Sequence, residues 1–243
     1  MNKEWFEEQF NTTDNTDKWG HQFRATQKIR FQKSFDLIKS HIKDSYTICD
    51  LCCGFGDFLN RFKIKNLYGF DISTNAINKA KSLYPHIKFT CNELPNTPKN
   101  CDIVIALECI YYIQIDTAVE QIYYSLNQDG LFLVSVPIDY EKELFTAMQR
   151  FTIIKIDYTY FGLFSQIEPK LLFYSKSLDF ILDKKIMRKK YLLKKLYEKY
   201  PMFITWLMGI VQKLSLFILK NESIVRLSSL FRIKRHIIIV GQK

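Results

Sequence analysis

The amino-acid sequence predicts an α/β fold with a doubly wound, seven-stranded and mostly parallel sheet. Short apolar runs alternate with segments of helical periodicity between residues 46 and 137, a glycine-containing turn follows the first run, and an acidic residue ends the second. Strands that alternate with helices form parallel sheets with helices on both faces. With 243 residues the chain can bury a large core, and it fits one elaborated domain better than two.

The predicted elements follow one another in a regular order. Tyr46–Cys53 is a short apolar run before glycines, as expected of a buried strand, and Asn127–Gly130 is predicted to stop a helix. Residues 1–20 are predicted to form an irregular or partly helical arm. Hydrophobic periodicity predicts helices over residues 23–41, 57–64, 74–84, 116–127 and 141–150, and strands over 46–53, 66–70, 87–90, 102–107, 131–137, 152–158 and 235–240.

The positive charge is concentrated in the last third of the chain, which has a formal net charge of +10 overall. Residues 1–169 contain 18 lysines and arginines against 21 aspartates and glutamates, whereas residues 170–243 contain 17 against 4. The first part is mildly acidic and suits a cationic ligand at least as well as a polyanion. Nucleic acid is therefore not the favoured partner.

All six cysteines lie between residues 49 and 109, in predicted strands and the turns after them. We expect free, buried thiols in a reducing compartment, with no metal bound. A redox pair of Cys49 and Cys52, or a metal site that adds Cys53, is less favoured because no second Cys-x-x-Cys follows. The acidic N-terminus lacks an apolar signal segment, which predicts a cytoplasmic protein.

A glycine-containing loop and an acidic residue predict a cofactor site. Asp50-Leu-Cys-Cys-Gly54-Phe-Gly56 lies where the first predicted strand ends, and glycine there tolerates positive φ and lets a ligand approach the backbone. Asp71 ends the second strand 21 positions after Asp50, near the offset of about 20 residues at which an acid accepts hydrogen bonds from ribose hydroxyls. Together they predict a nucleoside-containing cofactor.

Other interpretations of these residues remain open. The loop could be a purely structural turn or a nicotinamide dinucleotide site, although the third glycine of the dinucleotide motif is missing. Asp71 alone could be a helix N-cap, a role that Ser73 could take instead.

Five segments resemble those of class I S-adenosylmethionine (SAM)-dependent methyltransferases in order and spacing. They are DLCCGFG from residue 50, GFDIS from 69, CNELP from 91, CDIVIALECIYYI from 101 and LNQDGLFLVSVP from 126. Asp17–Gly20 before a helix, together with Glu108–Tyr112, is similar to nodulation-factor N-methyltransferases and their relatives. The resemblance implies a Rossmann-like sheet whose last strand is antiparallel, SAM as the cofactor, and methyl transfer as the activity.

The resemblance also implies roles for individual residues. Asp50 and the loop would hold the methionyl part of SAM, Asp71 would bind the ribose, and Glu108 would lie beside the sulfonium. The other implied contacts are to the adenine. The residues implied in cofactor binding are Asp50, Cys52, Gly54, Gly56, Asp71, Ile72, Asn92, Glu93, Leu94 and Glu108.

Two departures from the family pattern bear on catalysis. Cys52 replaces a glycine, which the fold tolerates only if Cys52 has a negative φ. Tyr111 and Tyr112 stand where many relatives carry a histidine, so no base is evident. The catalytic candidates are Tyr111 and Tyr112, either acceptor-pocket or core aromatics, and His21, either a base or a surface histidine. Because a neutral amine needs no positioned base, this pattern favours nitrogen or an already acidic oxygen as the methyl acceptor.

The resemblance makes residues 161–232 a helical insertion between the sixth strand and the antiparallel seventh. It is basic over residues 184–199 and uncharged over the 13 residues 200–212, too short a run to span a membrane. We expect a lid over the acceptor site, a membrane-surface element over 184–220, or a face for a protein partner. The predicted division is a cap of residues 1–33, a SAM-binding core of 34–160 plus 233–243, and this insertion.

The sequence thus predicts a cytoplasmic SAM-dependent methyltransferase that acts on N or O of a small or glycan- or lipid-linked metabolite. Contact with the inner face of the membrane through residues 184–220 is a further expectation. The alternatives are a catalytically inactive methyltransferase-fold module that binds a membrane or protein partner, and an RNA methyltransferase, which would bind RNA with a steep salt dependence.

Overall fold

The computed structural model of the chain describes residues 2–11, 25–92, 99–161 and 233–243. One compact unit holds nearly all of them, and residues 25–29, 161 and 233 belong to a second unit. The predicted site residues His21, Glu93 and Leu94, and residues 162–232 of the predicted insertion, lie outside the described residues.

Seven strands form one sheet in the order β3-β2-β1-β4-β5-β7-β6. They are β1 (Thr47–Leu51), β2 (Asn66–Asp71), β3 (Lys88–Cys91), β4 (Cys101–Leu107), β5 (Leu126–Pro137), β6 (Thr152–Phe161) and β7 (Ile233–Gln242). The β1–β2, β1–β4, β2–β3 and β4–β5 pairs are parallel, whereas β5 and β7 are antiparallel. The prediction of a mostly parallel, seven-stranded sheet with an antiparallel last strand is confirmed.

The described α-helices are α1 (Lys3–Phe10), α2 (Ala25–Ile38), α3 (Thr74–Leu83), α4 (Ile115–Ser125) and α5 (Glu141–Ala147). Helix α3 begins after Ser73, whose hydroxyl accepts a hydrogen bond from the Ala76 N–H at 3.1 Å, as an N-cap residue does. Its buried residues Ala76, Ile77 and Ala80 lie on one face at helical spacing. Within the described parts of the chain, no helix combines the length and apolar character needed to cross a membrane.

Two predicted elements are wrong. Residues 57–64 form only a 3-10 turn at Leu59–Arg61, because one turn already buries Phe58, Leu59 and Phe62 before β2 begins. Asn127–Gly130 does not separate α4 from a later strand, since β5 begins at Leu126. The β4–β5 ladder instead shifts register between Cys101 and Ile103, so an irregularity in the strand accommodates these turn-forming residues.

The prediction of six free, buried thiols is also wrong. Cys49 and Cys101 form a disulfide between the neighbouring strands β1 and β4, with their Cα atoms 6.2 Å apart. The two residues are 52 positions apart in sequence, and only the sheet order makes them neighbours. Cys91 is free but exposed, whereas Cys53 and Cys109 are free and buried as expected.

Apolar side chains cover both faces of the sheet. Ile103 and Ile105 of β4 belong to one core cluster, and Val104 and Ala106 to the other, because successive residues of a strand point to opposite faces. All four are fully buried. The segment that follows β4 therefore starts from a rigid position at the carboxyl edge of the sheet.

Candidate active site

The site lies where the strand order reverses. β1 and β4 are neighbours in the sheet, although β2 and β3 come between them in sequence. Open α/β sheets bind ligands at such a switch point, outside the carboxyl ends of the strands. The segments that follow β1, β2 and β4 are Cys52–Gly56, Ile72–Ser73 and Glu108–Tyr112, so the structure brings most of the predicted site residues to this edge.

The loop after β1, Cys52–Gly56, is called the cofactor loop below. Its backbone is left-handed at three residues, with φ of 61° at Cys52, 54° at Gly54 and 81° at Gly56. A Cβ atom on Gly56 would lie 2.5 Å from the ring of Phe89, so this position requires glycine on two counts. The expectation of a negative φ at Cys52 is wrong. Cys52 keeps the left-handed conformation, which costs a residue with a Cβ about 1–2 kcal/mol. The backbone on both sides holds it there, because β1 precedes it and the Cys53 N–H donates to the Phe70 carbonyl at 2.9 Å.

Asp71 ties the cofactor loop to the end of β2. Its Oδ2 accepts a hydrogen bond from the Gly54 N–H at 2.9 Å, and its Oδ1 accepts one from the Ser73 N–H at 3.0 Å. The residue is 5% exposed. Burial raises the pKa of Asp71 to about 6, although both N–H donors act to lower it. The loop and the acid are therefore one hydrogen-bonded unit.

Asp50 is a second buried carboxylic acid in this region, 4% exposed near the end of β1. Burial, followed by the charge of Asp71, raises the pKa of Asp50 well above its ordinary value. A cation that binds between or beside two neighbouring buried acids reduces the repulsion between their negative charges. The arrangement suits a ligand that carries an ammonium group.

The predicted adenine-side residues lie beside Asp71 where the structure describes them. The Asn92 N–H donates to the backbone carbonyl of Asp71 at 2.9 Å. The Ile72 carbonyl accepts a hydrogen bond from the Cys91 thiol at 3.3 Å. These contacts fix the ends of β2 and β3 against each other.

A buried polar network surrounds Glu108, the residue after β4. Its Oε1 accepts a hydrogen bond from the Ser135 hydroxyl at 2.9 Å, while its Oε2 lies 3.2 Å from His236 Nε2 and 3.7 Å from Arg30 Nη1. His236 Nδ1 is in turn 3.0 Å from the Thr159 hydroxyl. Glu108 has a φ of 59°, so a non-glycine residue is held in the left-handed region here as well.

Sequence reasoning missed three partners of Glu108: Arg30, Ser135 and His236. The sequence did contain a signal for His236. An antiparallel last strand begins at the edge of the sheet where its parallel neighbour ends, so its first residues lie at the carboxyl edge. His236 indeed pairs with Pro137, the last residue of β5. The sequence analysis, which found no evident base at Tyr111 and Tyr112, did not consider this histidine from the other end of the chain. No sequence signal distinguishes Arg30 from the other basic residues of its helix.

Tyr111 and Tyr112 lie in the 3-10 turn Ile110–Tyr112 directly after Glu108. The two hydroxyls are 3.4 Å apart, and the Tyr111 ring stacks on Tyr140 with centroids 5.1 Å apart. Burial, followed by the charge of Glu108, raises the pKa of Tyr111 far above its ordinary value. Tyr111 is therefore a neutral phenol, suited to packing and hydrogen bonding and unsuited to act as a base.

Helix α1 lies within the predicted arm and cap, and it packs against the start of α3 and the loop after β1 through contacts that the sequence did not predict. The Glu7 carboxylate accepts hydrogen bonds from the Ser73 hydroxyl at 2.8 Å and from the Thr74 N–H at 2.7 Å. Phe10 lies 3.7 Å from the Cβ position of Gly54, and Phe6 contacts Tyr112 with ring centroids 5.5 Å apart. The spacing of Phe6 and Phe10 by four residues was the available sequence signal.

Residues 48–130 match the family of methyltransferase domains. This range contains β2 to β4, all of β1 except Thr47, the cofactor loop, Asp71 and Glu108. No sequence among the curated proteins matches the chain.

Several solved structures have a similar fold. The N-methyltransferase NodS from Bradyrhizobium japonicum WM9, in complex with S-adenosyl-L-homocysteine (SAH), has a TM-score of 0.56 and 16% identity over 64% of this chain and 89% of NodS. Magnesium protoporphyrin IX methyltransferase from Synechocystis PCC 6803, with bound SAM, has a TM-score of 0.53 and 18% identity over 66% of this chain and 91% of that protein. The [4+2]-cyclase SpnF has a TM-score of 0.57 and 14% identity over 89% and 82%.

Fold and family agree on the class of the protein. The mostly parallel sheet with an antiparallel last strand is that expected from the sequence, and the family match spans β2 to β4 and nearly all of β1. No group of residues that could hold a metal ion occurs in the described parts of the chain. Residues 48–130 form a methyltransferase domain, and the described sheet has the fold of methyltransferases solved with SAM or SAH.

Proposed function

We propose that this methyltransferase transfers the methyl group of SAM to a nitrogen atom of a small or glycan- or lipid-linked metabolite, with an acidic oxygen as the alternative acceptor atom. The observation that carries the proposal is the carboxylate of Glu108 beside the aromatic rings of Tyr111 and Tyr112. A carboxylate and aromatic ring faces both favour a positively charged amine. The N-methyltransferase NodS, which has the same fold, is in line with such an acceptor.

In this proposal SAM lies along the carboxyl edge of the sheet. Asp71 binds the ribose, while Asp50 and the loop with Cys52, Gly54 and Gly56 hold the methionyl part. Ile72, Asn92, Glu93 and Leu94 surround the adenine. The basis for this orientation is that Asp71 ends β2 whereas Glu108 follows β4, on the other side of the switch point.

The chemistry is an in-line displacement. An ammonium acceptor first loses a proton, and the nitrogen lone pair then forms the N–C bond as the S–C bond breaks and its electron pair returns to sulfur. SAH and the methylated ammonium are the products. Because SAM is an activated donor, correct placement of nitrogen and methyl group supplies much of the acceleration. We propose His21 as the base that takes the first proton.

Segments that lie largely outside the described residues complete the proposal. Residues 1–33 and 161–232 select the acceptor, and residues 184–220 contact an anionic membrane surface. The basis is their composition, with basic residues interleaved with apolar ones over 184–199 and an uncharged run over 200–212.

An acceptor screen with methyl-labelled SAM tests the proposal. We expect labelled product from primary amines, starting with amino sugars, and none from matched compounds in which a hydroxyl replaces the amine. Sugar phosphates test the acidic oxygen. Asp71→Ala should lower turnover at least a hundredfold, since a lost charge-assisted contact is worth about 1.5–3 kcal/mol and the loop loses its anchor.

Three outcomes of this screen contradict the proposal. Turnover of RNA alone, with steeply salt-dependent binding, assigns the chain to RNA methylation. Turnover of hydroxyl compounds alone excludes the nitrogen acceptor. SAM binding without any turnover indicates a methyltransferase-fold protein with another task, as the name of the cyclase SpnF illustrates for this fold.

A further inference from the structure

We infer that His236 and Arg30 are positioning residues that hold the Glu108 carboxylate ionised next to the sulfonium of bound SAM, so that the site prefers SAM over SAH. The inference rests on the orientation of SAM in the proposed function. Its structural basis is the network in which Glu108 is bound by Arg30, Ser135 and His236.

The position of Glu108 follows from the sheet. Asp71 fixes the nucleoside end of the cofactor site at β2, and β1 separates β2 from β4. Glu108 is the first residue after β4, and the next residue, Cys109, donates its thiol proton to the Leu51 carbonyl at 3.5 Å. Glu108 thus borders the cofactor loop on the side away from the ribose acid, which is the side of the sulfur atom.

The network determines the charge of Glu108. Its side chain is 11% exposed, and burial by itself favours a neutral carboxylic acid. Hydrogen bonds and positive charges favour the ionised form. The Ser135 hydroxyl, the His236 ring and the Arg30 guanidinium surround the carboxylate with donors on both oxygens.

Thr159 sets the proton arrangement of His236. When the Thr159 hydroxyl donates to Nδ1, which lies 3.0 Å away, the neutral ring carries its proton on Nε2. That proton points to Glu108 Oε2, 3.2 Å from the nitrogen. Thr159 on β6 therefore orients the His236 ring on β7, and that ring in turn donates to the Glu108 carboxylate after β4.

The backbone of Glu108 is a second, independent indication of function. Its φ of 59° is a conformation that costs a non-glycine residue about 1–3 kcal/mol. Ser135 stabilises it twice, because its carbonyl accepts the Glu108 N–H at 2.9 Å and its hydroxyl binds the side chain. A glutamate where a glycine would be unstrained points to a task for the carboxylate.

The different charges of SAM and SAH make the role of the Glu108 carboxylate measurable. SAM carries a positive charge on sulfur, which SAH lacks, so an ionised Glu108 stabilises bound SAM and leaves bound SAH nearly unaffected. With an amine acceptor the positive charge passes from sulfur to nitrogen and stays near the carboxylate. The same arrangement favours exchange of the product SAH for a new SAM molecule.

Calorimetric titration of the full chain with SAM and with SAH tests the inference. We expect His236→Ala to weaken SAM binding about tenfold, the value of one charge-assisted hydrogen bond, and SAH binding less than about twofold. His236→Gln, whose amide can donate to Glu108, should restore most of the preference for SAM. Glu108→Gln should abolish the preference, and His41→Ala, which changes an exposed histidine that is not one of the partners of Glu108 named above, should leave both affinities unchanged.

Equal weakening of SAM and SAH by His236→Ala, or an unchanged ratio of the two affinities, overturns the inference and leaves His236 a structural role. If the wild-type chain binds neither ligand, the cofactor site itself is wrong, which is a separate failure. Should His236→Ala unfold, Thr159→Val carries the test. It keeps the side-chain volume while removing the hydroxyl, and we expect a smaller loss of the SAM preference in the same direction.

Discussion

The charge of Asp71 supports the shape of the cofactor loop, and in the proposed function it also binds the ribose. Both of its oxygens accept backbone hydrogen bonds, one from Gly54 in the loop and one from Ser73 before α3. Burial raises its pKa to about 6, so the carboxylate is ionised above that pH and protonated below it. Protonation removes an acceptor from one of the two backbone bonds.

We therefore expect the affinity for SAM to fall as the pH decreases through about 6. Asp71→Asn, which cannot ionise, should bind SAM at least tenfold more weakly at neutral pH and show little dependence on pH in this range. Titration calorimetry at several pH values measures this. The matched control is Asp129→Asn, at an exposed position of β5. A wild-type affinity that is constant across this range contradicts the assignment of Asp71.

Cys52 offers a test of backbone strain. Its φ is 61°, so Cys52→Gly should raise the free energy of unfolding by about 1 kcal/mol, because relief of the left-handed conformation outweighs the added backbone entropy of glycine. Denaturant unfolding measures the change. Cys53→Gly, one position later and without positive φ, should instead destabilise the protein, since it removes a buried side chain. Similar losses for both variants exclude strain at Cys52.

Residues near one another in sequence were predictable from sequence, and residues brought together only by the sheet were not. Asp50, Gly54 and Gly56 share one loop, and Asp71 ends the next strand. By contrast, Arg30, Ser135 and His236 approach Glu108 from three different parts of the chain. The backbone conformation of Cys52 was mispredicted because flanking hydrogen bonds outweigh its intrinsic preference.

At the scale of the element, helix α1 links the two sides of the site. Glu7 binds the start of α3, and Phe6 packs on Tyr112 after β4. Burial acts to raise the pKa of Glu7, but hydrogen bonds from Asn75, Ser73 and Thr74 outweigh it and the pKa is lowered. A lowered pKa means that Glu7 stabilises the fold at neutral pH and loses this effect as the pH falls through that pKa.

Hydrogen exchange of the α1 amides tests the role of Glu7. We expect Glu7→Gln to speed exchange of residues 3–10 by roughly threefold to tenfold at neutral pH. Because protonated glutamate resembles glutamine, wild type and variant should converge in acid. Glu4→Gln, an exposed residue on the same helix, is the control. Equal acceleration by both variants indicates a general loss of helix stability.

The errors at the level of elements have a common cause. The sequence pattern over residues 57–64 favours a helix, yet one turn buries its aromatic residues and the chain then enters β2. The residues Asn127–Gly130 are turn formers in isolation, but the β4–β5 ladder takes them up with a change of register. In both cases tertiary pairing overrides a local preference.

At the scale of the whole molecule, the uneven charge distribution predicts that the protein binds anionic membrane surfaces. The 17 basic and 4 acidic residues of 170–243 contrast with 18 and 21 in the first 169. We expect the full chain to sediment with vesicles that contain anionic lipid, less so as salt increases, and not with neutral vesicles.

A charge-matched pair of variants tests this expectation. Replacing four lysines with serine should weaken vesicle binding at least tenfold, because each lysine near an anionic surface contributes about 1 kcal/mol. The four are Lys184, Lys185, Lys189 and Lys190. The control removes the same charge at the exposed residues Lys43, Lys63, Lys65 and Lys81. Equal loss in both variants indicates attraction by net charge alone and excludes a membrane-binding segment.

The position of β7 between β5 and β6 also bears on how the protein is synthesised. β6 lies at the edge of the sheet and neighbours β7, yet about 70 residues separate the two strands in sequence. At typical synthesis rates of 5–20 residues per second, β6 waits roughly 4 to 14 seconds for its partner. An unpaired strand edge invites association with other chains during that interval. His236 arrives with β7, so a nascent chain acquires its cofactor loop early and completes the surroundings of Glu108 last.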